Sequence, residues 1–185
     1  MTIFTNPADA APEAAFAYVE AVLGKLAGRD PNVVLSTTAD ELRRLVRDAS
    51  SADLRRAEAP GRWSVGEVLA HLADSELVWA FRLRVVLGQD RPALGGYDQD
   101  AWARRLGYAA VEPSTSLDRF GFVRAWNLAL LGTMPDGDLD RVGMHSERGE
   151  ESVRHMVRLY AGHDLVHLAQ VRRILAGFHE TRGEQ

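Results

Sequence analysis

Apolar residues recur along most of this chain at intervals of three and four positions, the spacing of helices that bury one face. The first predicted helix covers residues 8–28, and its apolar face is made of Phe16, Val19, Leu23 and Leu26. No stretch of reasonable length alternates apolar and polar residues with a period of two, which would indicate a strand. The pattern therefore predicts an all-α protein.

Two later helices are marked at their starts by capping boxes, in which a Ser or Thr and a Glu three positions later bind each other's backbone N–H groups. Thr38 and Glu41 predict that one helix opens at Thr38. Ser64 and Glu67 predict the clearest helix start in the chain. The stretch between these two helices, at 50–61, contains small and polar residues with Pro and Gly, and it is predicted to be a short turn and loop.

The second half of the chain is predicted to alternate irregular segments with long helices. Residues 89–115 are rich in Pro and Gly around a short helix near Asp98–Leu106. Long helices are then predicted over Ser116–Met134 and Glu150–Phe178, with a polar loop between them. Amphipathic helices of this length predict one helical-bundle domain over 1–185, in whose interior side chains of different helices meet.

Composition narrows the class of protein. The chain has 46% hydrophobic and 26% charged residues, as soluble globular proteins do. The net charge of −4 and the absence of a basic stripe disfavour nucleic-acid binding. The N-terminus does not resemble a signal peptide and no apolar run is long enough to span a bilayer, so we expect a cytoplasmic protein without membrane contact. There is no cysteine, so any metal would be held by nitrogen and oxygen.

Three histidines carry the strongest chemical signal. His163 and His167 are four residues apart in a predicted helix, so both rings leave the same face one turn apart. His71 lies in another predicted helix and is the natural third ligand if the two helices meet. Three imidazoles around one divalent ion would form an open metal site. The alternative is that these histidines make ordinary hydrogen bonds at partly buried or surface positions.

Polar residues beside the histidines are candidate partners for the imidazole N–H groups. Gln170 follows His167 by three positions, and Asp74 and Ser75 follow His71 by three and four, so each shares a helix face with its histidine. Such partners fix the orientation of a ligating ring. Each of the three could equally be an ordinary polar residue of a helix surface.

The segment H-D-L-V-H also has the histidine spacing of the zinc-protease motif H-E-x-x-H. Here Asp164 replaces the glutamate that acts as general base, and a protease of this type takes its third ligand from downstream. Only 18 residues (185 − 167) follow His167, and they contain no metzincin-like extension. A protease is therefore disfavoured.

Several motifs together resemble the DinB/YfiT-like superfamily. They follow one another in the order and spacing of its DinB-like branch across roughly residues 35–178. The motifs are P-G-R-W-S-V-G-E-V-L-A-H-L-A-D-S-E at 60–76, F-R-L-R, G-Y-D-Q-D-A-W-A, H-S-E-R-G-E-E-S and A-G-H-D-L-V-H-L-A-Q.

The resemblance implies an up-down-down-up four-helix bundle with a long crossover between the middle helices, here with extra short helices at the N-terminus and in the crossover. It also implies a divalent metal, commonly zinc or nickel, with iron or manganese as alternatives. The family's three ligands fall on His71, His163 and His167. Members are frequently homodimers, and relatives include S-transferases that use low-molecular-weight thiols as well as metal-dependent hydrolases.

Three imidazoles leave one or more metal positions open to water or substrate, as in catalytic rather than structural zinc sites. The leading hypothesis is a metal-dependent transferase or hydrolase that activates a thiol or water against a small electrophilic substrate. The alternative is a non-catalytic, stress-related metal-binding protein.

Two further residues are candidates for proton transfer. Asp98 lies in the long connection and could face the metal, although a structural corner with Tyr97 and Trp102, in which Asp98 caps the short helix, is the simpler interpretation. His145 could be an extra ligand or a proton shuttle, although a surface position is simpler. His155 and His179 are assigned to packing or solvent-facing positions. The core is predicted to contain Trp63, Trp79 and Trp126, and one of these tryptophans could line the pocket.

Overall fold

Four long helices pack side by side around the core of the molecule. The computed structural model describes residues 12–183, with side chains described over 13–177. Within this range the helices are α1 (Pro12–Gly24), α2 (Pro31–Val46), α3 (Ser51–Arg55), α4 (Val65–Gly88), α5 (Gln99–Arg105), α6 (Pro113–Thr133) and α7 (Val153–Gly183). The strands are β1 (Ala93–Leu94), β2 (Val142–His145) and β3 (Gly149–Ser152), and 3-10 turns cover Tyr108–Ala110 and Asp136–Asp140.

The bundle consists of α2, α4, α6 and α7. Helices α2 and α4 each pack against both α6 and α7, so the four enclose a common interior. One half of that interior is filled around Leu69, Phe120 and Leu168, and the other around Trp79 and Met156. The predicted helical bundle with a long connection between its middle helices, α4 and α6, is confirmed.

Helix starts follow local side-chain chemistry. At α4 the predicted capping box is present, with Ser64 and Glu67 each accepting from the other's backbone N–H. The predicted start at Thr38 is wrong, because α2 begins at Pro31 behind the Asp30 cap. Thr38 lies inside that helix, where its hydroxyl donates to the carbonyl oxygen four residues earlier.

The segment 50–61, predicted to be a turn and loop, contains a short helix that was not predicted. Ser50 and Asp53 form a capping box at the start of α3. The helix is only five residues long, so hydrophobic periodicity could not reveal it.

A small sheet is formed by the connections of the bundle and was not predicted. β2 pairs in parallel with β1 and antiparallel with β3, and so joins the α4–α6 connection to the α6–α7 connection. A Cβ at Gly143 would lie 2.8 Å from Val86 and 2.7 Å from Leu94, so β2 packs tightly against the end of α4. These strands have two to four residues each and are held by pairing across the chain, which local periodicity does not report.

Helix α1 lies against α7. A Cβ at Gly162 would lie 2.3 Å from the carbonyl oxygen of Val22, so the two backbones approach closely only because this position is glycine. Tyr18, Val22 and Leu159 are buried in this contact. Phe16, predicted to be on the buried face, is 68% exposed instead.

The tryptophans differ in environment. Trp79 is fully buried, as predicted, and Trp63 is half-buried with its ring centre 5.0 Å from that of His71. The prediction for Trp126 is wrong: it is 57% exposed, with the Arg84 guanidinium 3.6 Å above its ring. The side chain of His179 lies outside the described residues. None of the helices between residues 12 and 183 combines the length and apolar character that crossing a membrane requires.

Candidate metal centre

Three histidines from two helices meet inside the bundle. His71 lies on α4, and His163 and His167 lie one turn apart on α7. The Nε2 atom of His163 is 3.2 Å from Nε2 of His71 and 3.1 Å from Nε2 of His167. Within the described part of the chain this is the one group of three or more His, Asp or Glu residues placed to share a metal ion.

Burial keeps these imidazoles neutral. It holds the pKa of His71 well below its usual value, and the neighbouring His167 adds to the effect. Burial likewise lowers the pKa of His163, together with repulsion from His167 and His71. The pKa of His167 is lowered by burial and partly restored by its hydrogen bond with Gln170 and by Asp164. Neutral imidazole is the form that binds a metal.

A hydrogen bond fixes which nitrogen of His167 is free. Its Nδ1 lies 2.8 Å from Oε1 of Gln170, and since an amide oxygen can only accept, Nδ1 carries the hydrogen. The lone pair is then on Nε2, which faces His163. A tetrahedral ion with nitrogen ligands at about 2.0–2.1 Å separates them by about 3.3 Å, close to the two spacings observed. These two spacings therefore fit a zinc-like ion, and the ligand atoms of all three histidines lie within 4.8 Å of one another.

Ser75 and Tyr97 line the cleft next to the histidines. The Ser75 hydroxyl is 3.3 Å from Nε2 of His71 and 2.9 Å from the Tyr97 hydroxyl. Ser75 thus lies on the side of the facing Nε2 atoms rather than behind the ring. Asp74 does not contact His71, and accepts from the hydroxyl of Tyr108 at 2.7 Å. Nδ1 of His71 has no partner among the described residues.

Asp98 occupies the structural position foreseen for it. One carboxylate oxygen accepts from the backbone N–H groups of Asp100 and Ala101, both at 2.9 Å, and so caps α5. The rings of Tyr97 and Trp102, which precede and follow Asp98 in the chain, pack together with centres 4.4 Å apart.

His145 is not at the surface, and that prediction is wrong. It is 3% exposed because it lies on the buried face of β2, whereas its neighbour Met144 is on the exposed face. Its Nδ1 accepts from the backbone N–H of Glu147 at 3.2 Å. Burial, with Arg148 and Arg82 nearby, lowers the pKa of His145 to about 3. His145 lies outside the three-histidine group. His155 is half-buried, in keeping with a packing role.

A partly open cleft of about 40 Å³ reaches His71 and His163. Beside His71, His163 and Ser75 it is lined by Tyr18, Arg82, Tyr97, Gln99, Arg148, Leu159 and Tyr160. Most of these residues were not predicted, although helical spacing could have found two. Arg82 follows His71 by 11 positions and Tyr160 precedes His163 by three, each on the face of its histidine. Tyr18 comes from α1 and has no local signal.

A second buried polar cluster lies between the same helices. Arg124 of α6 donates to Asp164 of α7 at 2.6 and 3.1 Å and to Glu76 of α4 at 2.7 Å. Asn127 donates to the other oxygen of Glu76 at 2.8 Å. Burial alone would lower the pKa of Arg124, but the two carboxylates raise it above its ordinary value.

The molecule is a helical bundle in which three histidines converge beside a cleft, an arrangement that fits a metal site. The sequence model of the DinB superfamily matches residues 35–171, and this chain belongs to that superfamily. The resemblance seen in the motifs is thereby confirmed.

Relatives and a solved structure agree with this assignment. A protein of Oceanobacillus iheyensis, named "Putative metal-dependent hydrolase", is 28% identical over 78% of this chain and 87% of its own length. YfiT of Bacillus subtilis, named in the same way, is 28% identical over 76% of this chain and 80% of its own length. The YfiT structure superposes with a TM-score of 0.71 at 25% identity, covering 79% of this chain and 86% of that one. It is described as a probable metal-dependent hydrolase with an unusual four-helix bundle topology, in agreement with the predicted fold.

Proposed function

We propose that this protein is a metal-dependent enzyme in which His71, His163 and His167 bind one divalent ion, zinc or nickel in preference to iron or manganese. The observation that carries the proposal is the mutual approach of their Nε2 atoms, at 3.1 and 3.2 Å, beside an open cleft. The names of the relatives, which describe metal-dependent hydrolases, support it.

A divalent ion held by three imidazoles acts as a Lewis acid and lowers the pKa of a water or thiol beside it. The residues of the chain orient what enters. Gln170 holds the His167 ring so that Nε2 faces inward. Burial raises the pKa of Tyr97, so its hydroxyl stays protonated and can donate to Ser75. The Ser75 hydroxyl is then placed to hold or pass a proton next to Nε2 of His71.

The reaction that we propose is attack of an exogenous nucleophile, water or a low-molecular-weight thiol, on a small electrophilic substrate. The open cleft favours this enzyme over the alternative, a non-catalytic stress-related metal-binding protein, because a structural zinc site is normally closed by four protein ligands.

Cytoplasmic location and homodimeric assembly stay predictions. Large apolar side chains are exposed on α4 and α6, among them Phe81 at 67% and Phe122 at 82%. Such a surface would suit a second copy of the chain. Light scattering after size-exclusion chromatography would give the mass, and a monomer would contradict the prediction.

Metal analysis tests the proposed site. Protein purified without a nickel column should contain about one divalent ion per chain, and His71→Ala, His163→Ala and His167→Ala should each lose it. His155→Ala is the matched control, since His155 is on α7 but outside the group. Hydrolysis and thiol transfer would then be assayed with and without chelator. Metal retained by the triple alanine variant would overturn the proposal.

A further inference from the structure

The charged side chains that line the cleft are all positive. Its ten lining residues include two arginines, Arg82 and Arg148, and no aspartate or glutamate. Three tyrosines, Tyr18, Tyr97 and Tyr160, add neutral hydroxyl groups. A concave site lined by one sign of charge attracts ligands of the opposite sign.

The two arginines differ in how far their charge is already neutralised. Arg148 binds Glu151 through two hydrogen bonds of 2.5 and 3.1 Å, and both side chains are buried. Arg82 is also buried, at 5% exposed, but its partners are uncharged. It donates to the carbonyl oxygen of Gly95, and its Nη1 lies 3.5 Å from the Tyr160 hydroxyl.

No carboxylate of the described residues pairs with Arg82. A buried charge is costly unless it is paired. The buried Arg124, in contrast, has two carboxylate partners. The positive charge of Arg82 is therefore left for something that enters the cleft, and a guanidinium matches the oxygens of carboxylate and phosphate groups.

Position along the helix indicates how this charge relates to the histidines. Arg82 lies 11 residues after His71 on the same face of α4, about 16 Å of helix rise. Side chains on a helix lean toward its N-terminus, so the long Arg82 side chain extends back toward His71. A group bound by Arg82 would lie in the same cleft as the histidines without touching them.

We propose that Arg82 binds an anionic oxygen group, a carboxylate or a phosphate, on the substrate and so makes this cleft selective for small anionic molecules. The inference rests on the proposed function only in taking the cleft as the substrate site. Because the anchored group lies away from the histidines, Arg82 contributes binding that is similar in the ground and transition states, and its loss raises KM more than it lowers kcat.

The test compares an anion with its neutral counterpart on the full-length protein, with and without added zinc. Calorimetric titration uses benzoate, benzamide and inorganic phosphate at several salt concentrations. Benzoate or phosphate should bind at least tenfold more tightly than benzamide, with affinity falling as salt rises. Arg82→Gln should lose at least tenfold in anion affinity, Arg82→Lys should lose less, and benzamide binding should not change. If only the affinity for phosphate depends on Arg82, the group that Arg82 binds is a phosphate. If only the affinity for benzoate depends on Arg82, that group is a carboxylate.

The matched control is Arg84→Gln. Arg84 is on the same helix but contacts Asn127 and Trp126, so its loss removes the same charge away from the cleft. Equal anion binding by wild type and Arg82→Gln, or equal losses in the two Gln variants, would overturn the proposal. If Arg82→Gln does not fold, the Arg82 Nε–H resonance of the wild type, assigned with Arg82→Lys, must shift on benzoate addition; an unmoved resonance would overturn it too.

The outcomes separate the two proposals. Anion binding through Arg82 in a protein that takes up no metal would leave this inference standing without the proposed enzyme. Metal uptake by the histidines with no preference for anions would contradict only the role of Arg82.

Discussion

Two buried polar clusters link α4 to α7, and they differ in whether a cation is part of the cluster. In the Arg124 cluster, one cation lies between the carboxylates of Glu76 and Asp164, and its two terminal nitrogens have carboxylate partners. In the histidine cluster, three neutral bases turn the same nitrogen toward one another. The first group supplies its own counter-charges, whereas the second brings together three ring nitrogens that a cation could bind. Burial of polar groups alone therefore does not distinguish a structural cluster from a binding site; the balance of donors and acceptors does.

Removing the cation from the Arg124 cluster should have the largest effect. Arg124→Met leaves two carboxylates buried without their partner, and loss of one member of a buried ion pair costs about 3–5 kcal/mol. Urea unfolding would measure the change. Arg154→Met is the control, because its ion pair with Asp140 is exposed and should be worth less than about 1 kcal/mol. Equal losses in the two variants would mean that the buried cluster has no special structural role.

The histidine cluster should instead make the stability of the folded protein depend on bound metal. With free zinc at 100 times its Kd, the folded state gains about 2.7 kcal/mol from the bound ion. Thermal or urea unfolding with and without a chelator would show this difference in the wild type and in Arg154→Met. His167→Ala should abolish it. A chelator effect that persists in that variant would show that the ion binds elsewhere.

His145 is buried but is not one of the proposed metal ligands. We expect it to make the free energy of unfolding depend on pH. Its pKa is about 3 when folded, while an unfolded histidine titrates near 6.5, so between these values the unfolded state holds the extra proton. Stability is lost as the pH falls through this window, by about 2 kcal/mol between pH 7.5 and 5 for one such group.

His145→Asn removes the titration while its side-chain oxygen can still accept from the Glu147 N–H. The stability of wild type relative to this variant, measured by urea unfolding of metal-free protein, should therefore decline from pH 7.5 to 5. A difference that does not change with pH would show that His145 does not titrate in this way.

Which features of the fold and the site could be predicted from the sequence depends on whether they arise from local or from long-range interactions. The Ser64 capping box and the i, i+4 spacing of His163 and His167 are local, and the structure shows both. The position of His145 depends on strand pairing between distant segments, which no local pattern records. The sequence likewise does not reveal that Arg82 is unpaired, because this depends on which acidic side chains the fold places near it.

The smallest expected effect concerns how the histidine cluster is held. Gln170 is the one amide that fixes the His167 ring, and partners of this kind typically change metal affinity by about 10- to 100-fold. Gln170→Leu should weaken zinc binding by about tenfold, measured by competition with a chelating dye. Gln170→Glu keeps an acceptor for the Nδ1 hydrogen and should retain the affinity. If both variants bind zinc as the wild type does, the ring is oriented by packing, and the histidine cluster needs no more than the helices themselves to hold its shape.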